Sequence, residues 1–361
     1  MILKSLKLKN FRNYHLLTLD FNHATNIFYG DNAQGKTNIL EAVYLCGTTK
    51  SHRGTKDRDM IQFGKEESHI EILVEKDGVP YQIDVHLKKN SPKGIAIDKI
   101  PIRKASELFG MIHLVFFSPE DLNIIKNGPA ERRRFMDMEL SLLDKIYLSN
   151  LSSYNRIVNQ RNKLLKEIPD RRDLYDTLEV WDMQLIDYGE RIMERRRKFV
   201  REVNEIVGTI HQKLTGEREN LVLSYEPGCG SLSLEEAVRK NRERDIRMRS
   251  TSTGPHRDDI CFLADDLDIR KFGSQGQQRT AALSLKLSEI ELVKQVLHDT
   301  PVLLLDDVLS ELDKHRQNYL LDSIQGVQTL VTCTGLDEFV NHRFSMNKVF
   351  HVKDGEVTGE N

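Results

Sequence analysis

The sequence of 361 residues has few cysteines and no long hydrophobic run. The four cysteines, Cys46, Cys229, Cys261 and Cys333, form no C-x-x-C pair. Structural zinc sites need closely spaced thiolates, and small secreted domains need dense disulfides, so we expect neither here and predict buried free thiols instead. No apolar run approaches the roughly 20 residues of a membrane-spanning helix. With 39% hydrophobic residues, the composition predicts a soluble globular protein without a membrane partner.

The N-terminal residues lack the apolar centre and the cleavage site of a secretory signal. The stretch MILKSLKLKNF instead alternates apolar and basic residues, as a strand does. We therefore expect a cytoplasmic protein. Its length suits two domains, or one large α/β domain that carries an insertion.

Neither sign of charge is in large excess. The chain has 53 Lys and Arg residues against 55 Asp and Glu residues, a net charge of −2, so overall charge does not indicate a nucleic-acid-binding protein. The basic residues are clustered, in runs at 131–134, 170–173, 194–201 and 239–249. Such runs are usually solvated helix faces, and a DNA-contacting surface is the alternative. The DNA-contact candidates of the first run are Arg132, Arg133 and Arg134.

Two stretches in the middle of the chain have apolar residues spaced three or four positions apart. The first extends from about 140 to 165 and the second from 174 to 210, with Pro169 between them. This spacing predicts two long antiparallel helices, with Trp181 in their core. A coiled-coil-like arm and a plain helical domain core give the same pattern, and both stay open.

Strand-like and helical segments alternate on both sides of this helical region. They include apolar runs that end in LDF, FYG and LLLDD. This alternation predicts an α/β fold. We therefore predict an α/β head built from residues 1–128 and 249–361, with a helical arm domain of residues 129–248 inserted between them.

The stretch GDNAQGKT fits the phosphate-loop pattern G-x-x-x-x-G-K-[ST] and lies between a predicted strand and a predicted helix. Its two glycines let the backbone curl so that successive amides face a phosphate. In this pattern the lysine reaches the β- and γ-phosphates and the threonine hydroxyl binds Mg²⁺. The sequence thus predicts a nucleotide site with Mg²⁺. Its residues are Gly30, Asp31, Asn32, Ala33, Gln34, Gly35, Lys36 and Thr37.

Two carboxylates end the apolar run PVLLL. We predict that Asp306 binds Mg²⁺ and that Asp307 orients the attacking water, which makes Asp307 and Lys36 the candidate catalytic residues. The alternative is that both acids cap a following helix.

The stretch GSQGQQ, residues 273–278, precedes a long predicted helix and contains no acid, base or metal ligand. A helix N-terminus attracts anions, so we predict that this turn faces the phosphates of a nucleotide bound to a second copy of the protein. Together with SELD at 310–313 it resembles the ATP-binding-cassette superfamily, whose signature turn closes on the nucleotide of the opposite subunit. The resemblance implies nucleotide contacts by Ser274, Gly276, Gln277 and Asp313.

Further motifs resemble the SMC-like DNA-repair ATPases of bacteria. They are NFRNY at 10–14, GPAERRRFMD at 128–137 and STSTGPHRDD at 250–259. The resemblance covers essentially the full length and implies an ABC-type P-loop ATPase head with a coiled-coil-like arm, an ATP-dependent homodimer, and a weak DNA-stimulated ATPase used as a switch. It also implies Arg12 as a nucleotide contact, binding to single-stranded and gapped DNA, and loading of RecA with RecR-like and RecO-like proteins during replication, repair and the SOS response. The alternative use of the same fold is the ATPase subunit of a membrane transporter.

Three positions depart from the superfamily pattern. Asp307 stands where a glutamate is common, Glu120 stands at the glutamine of the Q-loop, and Thr332 or Thr334 stands where a switch histidine is expected. These departures predict slow hydrolysis.

His256 and Arg257 leave two interpretations open. The pair could reach a phosphate or a dimer interface, or it could pin its loop to Asp258 or Asp259.

Overall fold

A computed structural model describes residues 1–336 and 348–360, and the chain divides into two compact units. Unit 1 comprises Met1–Asp121 and Lys286–Asn361, and unit 2 comprises Leu122–Leu285. These boundaries differ from the predicted ones, because residues 249–285 belong with unit 2. The strand at 259–264 pairs with a strand of unit 2 over its whole length, which ties that segment to the insertion.

The helices and strands have the following bounds. The strands are β1 (Ile2–Phe11), β2 (Tyr14–Asp20), β3 (Thr25–Tyr29), β4 (Glu67–Lys76), β5 (Val79–Lys88), β6 (Ser91–Ile97), β7 (Ile100–Pro101), β8 (Leu114–Phe117), β9 (Leu221–Glu226), β10 (Asp259–Ala264), β11 (Leu267–Asp268), β12 (Val302–Asp306), β13 (Thr329–Cys333), β14 (Lys348–Lys353) and β15 (Glu356–Glu360). The helices are α1 (Lys36–Thr48), α2 (Leu122–Lys126), α3 (Pro129–Leu143), α4 (Lys145–Glu167), α5 (Tyr175–Thr215), α6 (Leu234–Met248), α7 (Ile269–Phe272), α8 (Gln275–Leu297) and α9 (Lys314–Ser323). Among the helices of the described residues, none combines the length and the apolar character that crossing a bilayer requires.

Unit 1 contains two six-stranded sheets with α1 packed between them. One sheet is antiparallel, in the order β2-β1-β4-β5-β6-β7. The other has the order β15-β14-β3-β13-β12-β8, and all of its strands except β15 run parallel. Helix α1 contacts β4 and β5 on one side and β8, β12 and β13 on the other, which explains why its sequence is apolar nearly all round. The carboxyl ends of β3, β13 and β12 therefore meet at one edge of the parallel sheet.

Unit 2 is built on a pair of antiparallel helices, as the apolar spacing predicts. Arg161 of α4 contacts Asp182 of α5, and Tyr147 at the start of α4 contacts Arg196 further along α5. Helix α5 also packs on a three-stranded antiparallel sheet in the order β11-β10-β9. The insertion thus contains a small sheet as well as helices.

The buried face of α5 is more polar than predicted. Trp181 is only half-buried, while the neighbouring Asp182 is buried. The reason is Arg161, which is fully buried and donates from Nε to Asp182 Oδ1 at 2.7 Å and from Nη1 to Asp245 Oδ2 at 2.8 Å. This arginine joins α4, α5 and α6 through ionic hydrogen bonds.

Three of the four cysteine thiols are buried, as predicted. Cys46, Cys261 and Cys333 are buried, and Cys229 is half-buried. Burial raises the pKa of the Cys261 thiol, which keeps it protonated at neutral pH.

Replacing Arg161 with alanine should destabilise unit 2 strongly. The change leaves the carboxylates of Asp182 and Asp245 without their buried cation, and breaking such a pair costs about 3–5 kcal/mol of unfolding free energy. Urea denaturation measures this loss. The matched control is Arg171→Ala, which removes an exposed pair with Asp173 and should cost less than about 1 kcal/mol. Equal losses for the two variants would contradict the role given to Arg161.

Candidate functional site

The glycine-rich turn after β3 has a backbone that only glycine adopts easily. Gly30 has a φ of 150° and Gly35 a φ of 113°. A Cβ atom on Gly30 would overlap the carbonyl oxygen of Val352, and one on Gly35 would overlap the side chain of Asn13. Helix α1 begins immediately afterwards, at Lys36. The predicted strand, turn and helix are thus present, and the turn packs closely against Val352 and Asn13.

Two hairpins hold this turn in place. In the β1–β2 hairpin, Asn13 Nδ2 donates to the carbonyl of Gln34 at 2.9 Å, and the Tyr14 hydroxyl donates to the carbonyl of Gly35 at 3.1 Å. In the β14–β15 hairpin, the backbone N–H of Asp354 donates to Gln34 Oε1 at 2.6 Å. The outer residues of the turn, from Asp31 to Ala33, are exposed. The turn is therefore fixed on its protein side and open on its solvent side.

The lysine and threonine of the predicted site occupy different environments. The ammonium of Lys36 is buried and donates to the carbonyls of Gly30 at 2.6 Å and Asp31 at 2.8 Å. The Thr37 hydroxyl donates to Asp306 Oδ1 at 2.7 Å. The structure therefore brings together the phosphate-loop residues and the carboxylate at the end of β12, which are far apart in the sequence.

Thr332 of β13 lies between these two elements and contacts both aspartates. Its hydroxyl donates to Asp306 Oδ1 at 2.8 Å and accepts from the backbone N–H of Asp307 at 3.0 Å. Burial raises the pKa of Asp306, and the hydrogen bonds from Thr37 and Thr332 work against that rise. Thr334, the other candidate at the switch position, is exposed. Thr332 thus links the carboxylate of Asp306 to the backbone of Asp307.

Asp307 and Asp313 lie on the loop that follows β12. Asp307 has a φ of 53°, and the Ser310 hydroxyl donates to its carbonyl oxygen at 2.8 Å. Asp313 caps α9 by accepting from the N–H of Arg316 at 3.0 Å, and its other carboxylate oxygen pairs with the guanidinium of Arg316 at 2.7 Å. Both side chains are held by local contacts at the same edge of the sheet.

Arg12 has its guanidinium engaged by protein groups. Nε and Nη2 donate to the two carboxylate oxygens of Glu41 at 2.7 Å, and Nη1 donates to the carbonyl of Asp59 at 2.8 Å. Burial works to raise the pKa of Glu41, but hydrogen bonds from Arg12 and Ser51 outweigh it and lower that pKa. Arg12 therefore anchors the β1–β2 turn on α1, and its contact with nucleotide stays a prediction.

The signature turn at 273–278 forms the N-terminus of α8. Ser274 and Gln277 cap the helix reciprocally: the Ser274 N–H donates to Gln277 Oε1 at 2.9 Å, and the Gln277 N–H donates to Ser274 Oγ at 3.2 Å. Gln277 Nε2 also donates to Glu219 at 3.1 Å. Ser274 and Gly276 are exposed, and a Cβ on Gly276 would make only an ordinary contact with Ser274 Oγ, at 3.9 Å. The turn is an exposed, well-ordered helix start within unit 2, which suits an external anion.

One predicted DNA contact is wrong. Arg132 is buried, and it donates to both carboxylate oxygens of Asp259, at 2.5 and 3.0 Å. Its neighbours on α3 differ, because successive residues of a helix point about 100° apart: Arg133 is half-buried and Arg134 is exposed. Arg134 stays a prediction.

Arg53 is a cation near the site that our sequence analysis missed. It lies on the exposed loop after α1, its guanidinium approaches Asn38 Oδ1 at 3.4 Å, and its charge works to lower the pKa of Asp306 against the dominant effect of burial. The available sequence signal was weak, since SHRG contains only one basic residue beside a histidine.

The comparisons with known proteins agree with this geometry. A family model described as RecF/RecN/SMC N terminal domain matches residues 2–358. The DNA replication and repair protein RecF of Agathobacter rectalis is 63% identical over 357 residues, which cover 99% of both chains. The corresponding protein of Lachnospira eligens is 61% identical over 363 residues, which cover 100% of both chains.

Two solved structures are also similar. The recombination mediator protein RecF with ATP, in the RecFOR pathway, is 34% identical with a TM-score of 0.93, over 100% of this chain and 98% of that one. The Smc head domain from Pyrococcus furiosus is 15% identical with a TM-score of 0.59, over 100% of this chain and 96% of that one, which shows the fold alone. Fold and site together define an ABC-type ATPase head of the SMC-like group with an inserted helical unit. The chain belongs to the RecF family of that group, which sets aside the transporter alternative.

Replacing Thr332 with valine should cost about 1–2 kcal/mol of unfolding free energy. Valine keeps the shape but removes the buried hydroxyl that joins Asp306 to the N–H of Asp307. Thr332→Ser should restore most of the loss, and Thr334→Val, at an exposed position, should change stability by less than about 0.5 kcal/mol. Thermal and urea unfolding measure the stability of the three variants. A fully stable Thr332→Val protein would show that the hydroxyl does not hold the Asp306 carboxylate against the backbone of Asp307.

Proposed function

We propose that the protein is an ATP-dependent DNA-binding protein of recombinational repair and replication, which dimerises on ATP and helps to load RecA with RecR-like and RecO-like partners. The observation that carries the proposal is the contact between Thr37 and Asp306 at 2.7 Å, at the carboxyl end of a parallel sheet. This is the arrangement that a phosphate loop needs for a nucleotide with its metal. Similarity over the full chain to RecF of the RecFOR pathway, solved with ATP, supports the repair assignment.

The residues at the phosphate loop suit ATP with Mg²⁺. Thr37 and Asp306 supply two hard oxygen donors in contact with each other, which is the kind of ligand that Mg²⁺ prefers. No cluster of three acidic, histidine or cysteine side chains within residues 1–336 and 348–360 could hold a metal alone. Mg²⁺ at such sites takes its remaining ligands from phosphate and water. When bound, it would neutralise developing negative charge on the phosphates.

The chain's own groups divide the remaining work. Backbone amides of residues 30–37 would bind the phosphate oxygens, and the Lys36 ammonium would contact the β- and γ-phosphates. Asp307 would accept a hydrogen bond from the attacking water and hold it in line. The exposed N-terminus of α8 would close on the γ-phosphate of a second copy, so that hydrolysis and dimerisation are coupled.

DNA contacts in this proposal come from exposed cations of unit 2. Lys240, Arg244 and Arg247 are exposed and spaced four and three residues apart on α6, so they share one face of the helix. Arg134 adds an exposed cation on α3. These side chains are suited to phosphate contacts, which depend strongly on salt.

Asp307→Asn should lower ATP hydrolysis by about 100-fold or more while ATP binding is retained. The amide cannot accept a proton from water, and Asp306 keeps its contacts with Thr37 and Thr332. Steady-state turnover and the affinity for a fluorescent ATP analogue measure the two effects. Near-normal turnover would show that another residue positions the attacking water, and Glu120 is the first candidate.

The shared site predicts that two inactive proteins regain activity when mixed. Ser274→Arg blocks the signature turn and Lys36→Met disables the phosphate loop, so each pure dimer has two dead sites. In a mixed dimer both lesions fall in one site, and the other site is intact. DNA-stimulated ATPase should therefore reappear, at roughly a quarter of the parental rate for random exchange of equal amounts if each site works alone.

Subunit exchange is verified by pull-down of a tagged copy in ATP. If exchange occurs and mixing restores nothing, the signature turn serves its own chain or no nucleotide at all, and the shared-site proposal fails. A mixture of Lys36→Met with Lys36→Arg is the matched control, because both lesions then lie in phosphate loops and no intact site can form.

A further inference from the structure

The two motifs that the nucleotide site does not use, GPAERRRFMD and STSTGPHRDD, pack against each other in unit 2. Arg132 of the first pairs with Asp259 of the second at 2.5 Å. Arg133 of the first donates from Nη1 to the backbone carbonyl of Asp258 at 2.9 Å. The two motifs therefore form one structure around residues 257–259.

The residues before Arg257 are locked in place. Gly254 has a φ of +128°, and a Cβ there would overlap the Tyr154 hydroxyl. His256 Nδ1 lies 2.7 Å from the same hydroxyl, and its Nε2 lies 3.0 Å from the carbonyl of Thr251. Burial lowers the pKa of His256 to about 4, so the ring is neutral at pH 7. Of the two interpretations of His256, the structure supports the one in which it pins its loop, with Tyr154 and Thr251 as the partners.

The residue after Arg257 is locked as well. Asp258 is fully buried and accepts hydrogen bonds from Arg196 Nη1 at 2.7 Å, from the N–H of Gly228 at 2.7 Å and from the Tyr225 hydroxyl. A Cβ on Gly228 would lie 2.7 Å from the Cβ of Arg257, so the two loops touch where only glycine fits. The backbone of Arg257 is thus fixed from both sides.

Arg257 itself points its charge outward. Its side chain is exposed, and its guanidinium makes no hydrogen bond or ion pair with residues 1–336 and 348–360. The acid beside it, Asp258, is already neutralised by Arg196. Burial lowers the pKa of Arg133; the like charges of Arg196 and Arg257 add to that lowering, and the carboxylates of Asp259 and Asp258 work against it. Because the Arg133 guanidinium contacts the backbone carbonyl of Asp258, it lies beside the residue that follows Arg257.

We propose that Arg257 and Arg133 form a binding site for a phosphate of the DNA backbone. A guanidinium presents paired N–H donors that match phosphate oxygens, and a side chain on a fixed backbone loses less freedom when it binds. In the proposed function, the phosphates of the nucleotide take their donors from residues 30–37 and 273–278, which leaves a backbone phosphate as the ligand for this site. The inference rests on the proposed DNA-binding function and adds a defined contact to it.

The test measures the affinity of the full-length protein for gapped duplex DNA, with ATP, over a range of salt concentrations. Arg257→Gln should weaken binding about 5- to 10-fold at 0.1 M salt and should make the log–log salt slope shallower by roughly 0.7–0.9. Arg257→Lys keeps the charge, so it should keep the slope while losing part of the affinity to the lost paired donors. Arg156→Gln is the matched control, since Arg156 is an exposed arginine on α4 of the same unit.

The possible outcomes separate the site from the function. A parental protein that does not retain gapped DNA in ATP overturns the proposed function, and the site with it. If the parent binds but Arg257→Gln keeps the parental slope, or changes no more than Arg156→Gln, only the site is overturned. If the slope is unchanged while affinity for a fluorescent ATP analogue or ATP-dependent dimerisation falls, the phosphate belongs to the nucleotide and the proposal is wrong.

Discussion

The hydrogen bond between Thr37 and Asp306 is the contact on which unit 1 depends. It measures 2.7 Å and joins residues that are 269 positions apart in the chain. Thr37 is placed by the start of α1, which in turn follows the strained turn at Gly30 and Gly35. Asp306 is placed by the end of an entirely buried strand. The contact can form only when the two ends of the chain share one sheet, which is why the residues between them fold as an inserted unit.

The same site shows how a buried carboxylate is kept able to bind a metal ion. Removing Asp306 from water favours its protonated form, which would bind a metal poorly. Hydroxyl groups of Thr37 and Thr332 both donate to one of its oxygens, and these hydrogen bonds to the charged form offset part of the desolvation. Thr332 can do this because β13 lies between β3 and β12 in the sheet. A threonine at the switch position therefore has a physical role that does not require a histidine.

How much could be predicted from the sequence depended on whether a pattern was local. The phosphate loop, the Asp306–Asp307 pair and the long helices follow from spacing within a short window, and the structure contains them. The start of α6 was not predicted, although Ser233 and Glu236 form the S-x-x-E capping box that marks it. The register of α5 could not be predicted, because the burial of Asp182 in place of Trp181 depends on Arg161, which lies on another helix. The parallel pairing of β14 could not be predicted, because its partner β3 is more than 300 residues earlier.

The arginine runs show why clustered charge alone does not define a surface. In the run at 131–134, Arg132 forms a buried ion pair with Asp259, whereas Arg134 is exposed. In the motif HRDD, Asp258 forms a buried ion pair with Arg196, whereas Arg257 is exposed. The acids of one motif thus pair with arginines of other segments, whereas Arg134 and Arg257 face solvent. Charge counts along the sequence therefore do not locate a binding surface, because buried pairs such as Asp258 with Arg196 contribute to the count but not to the surface.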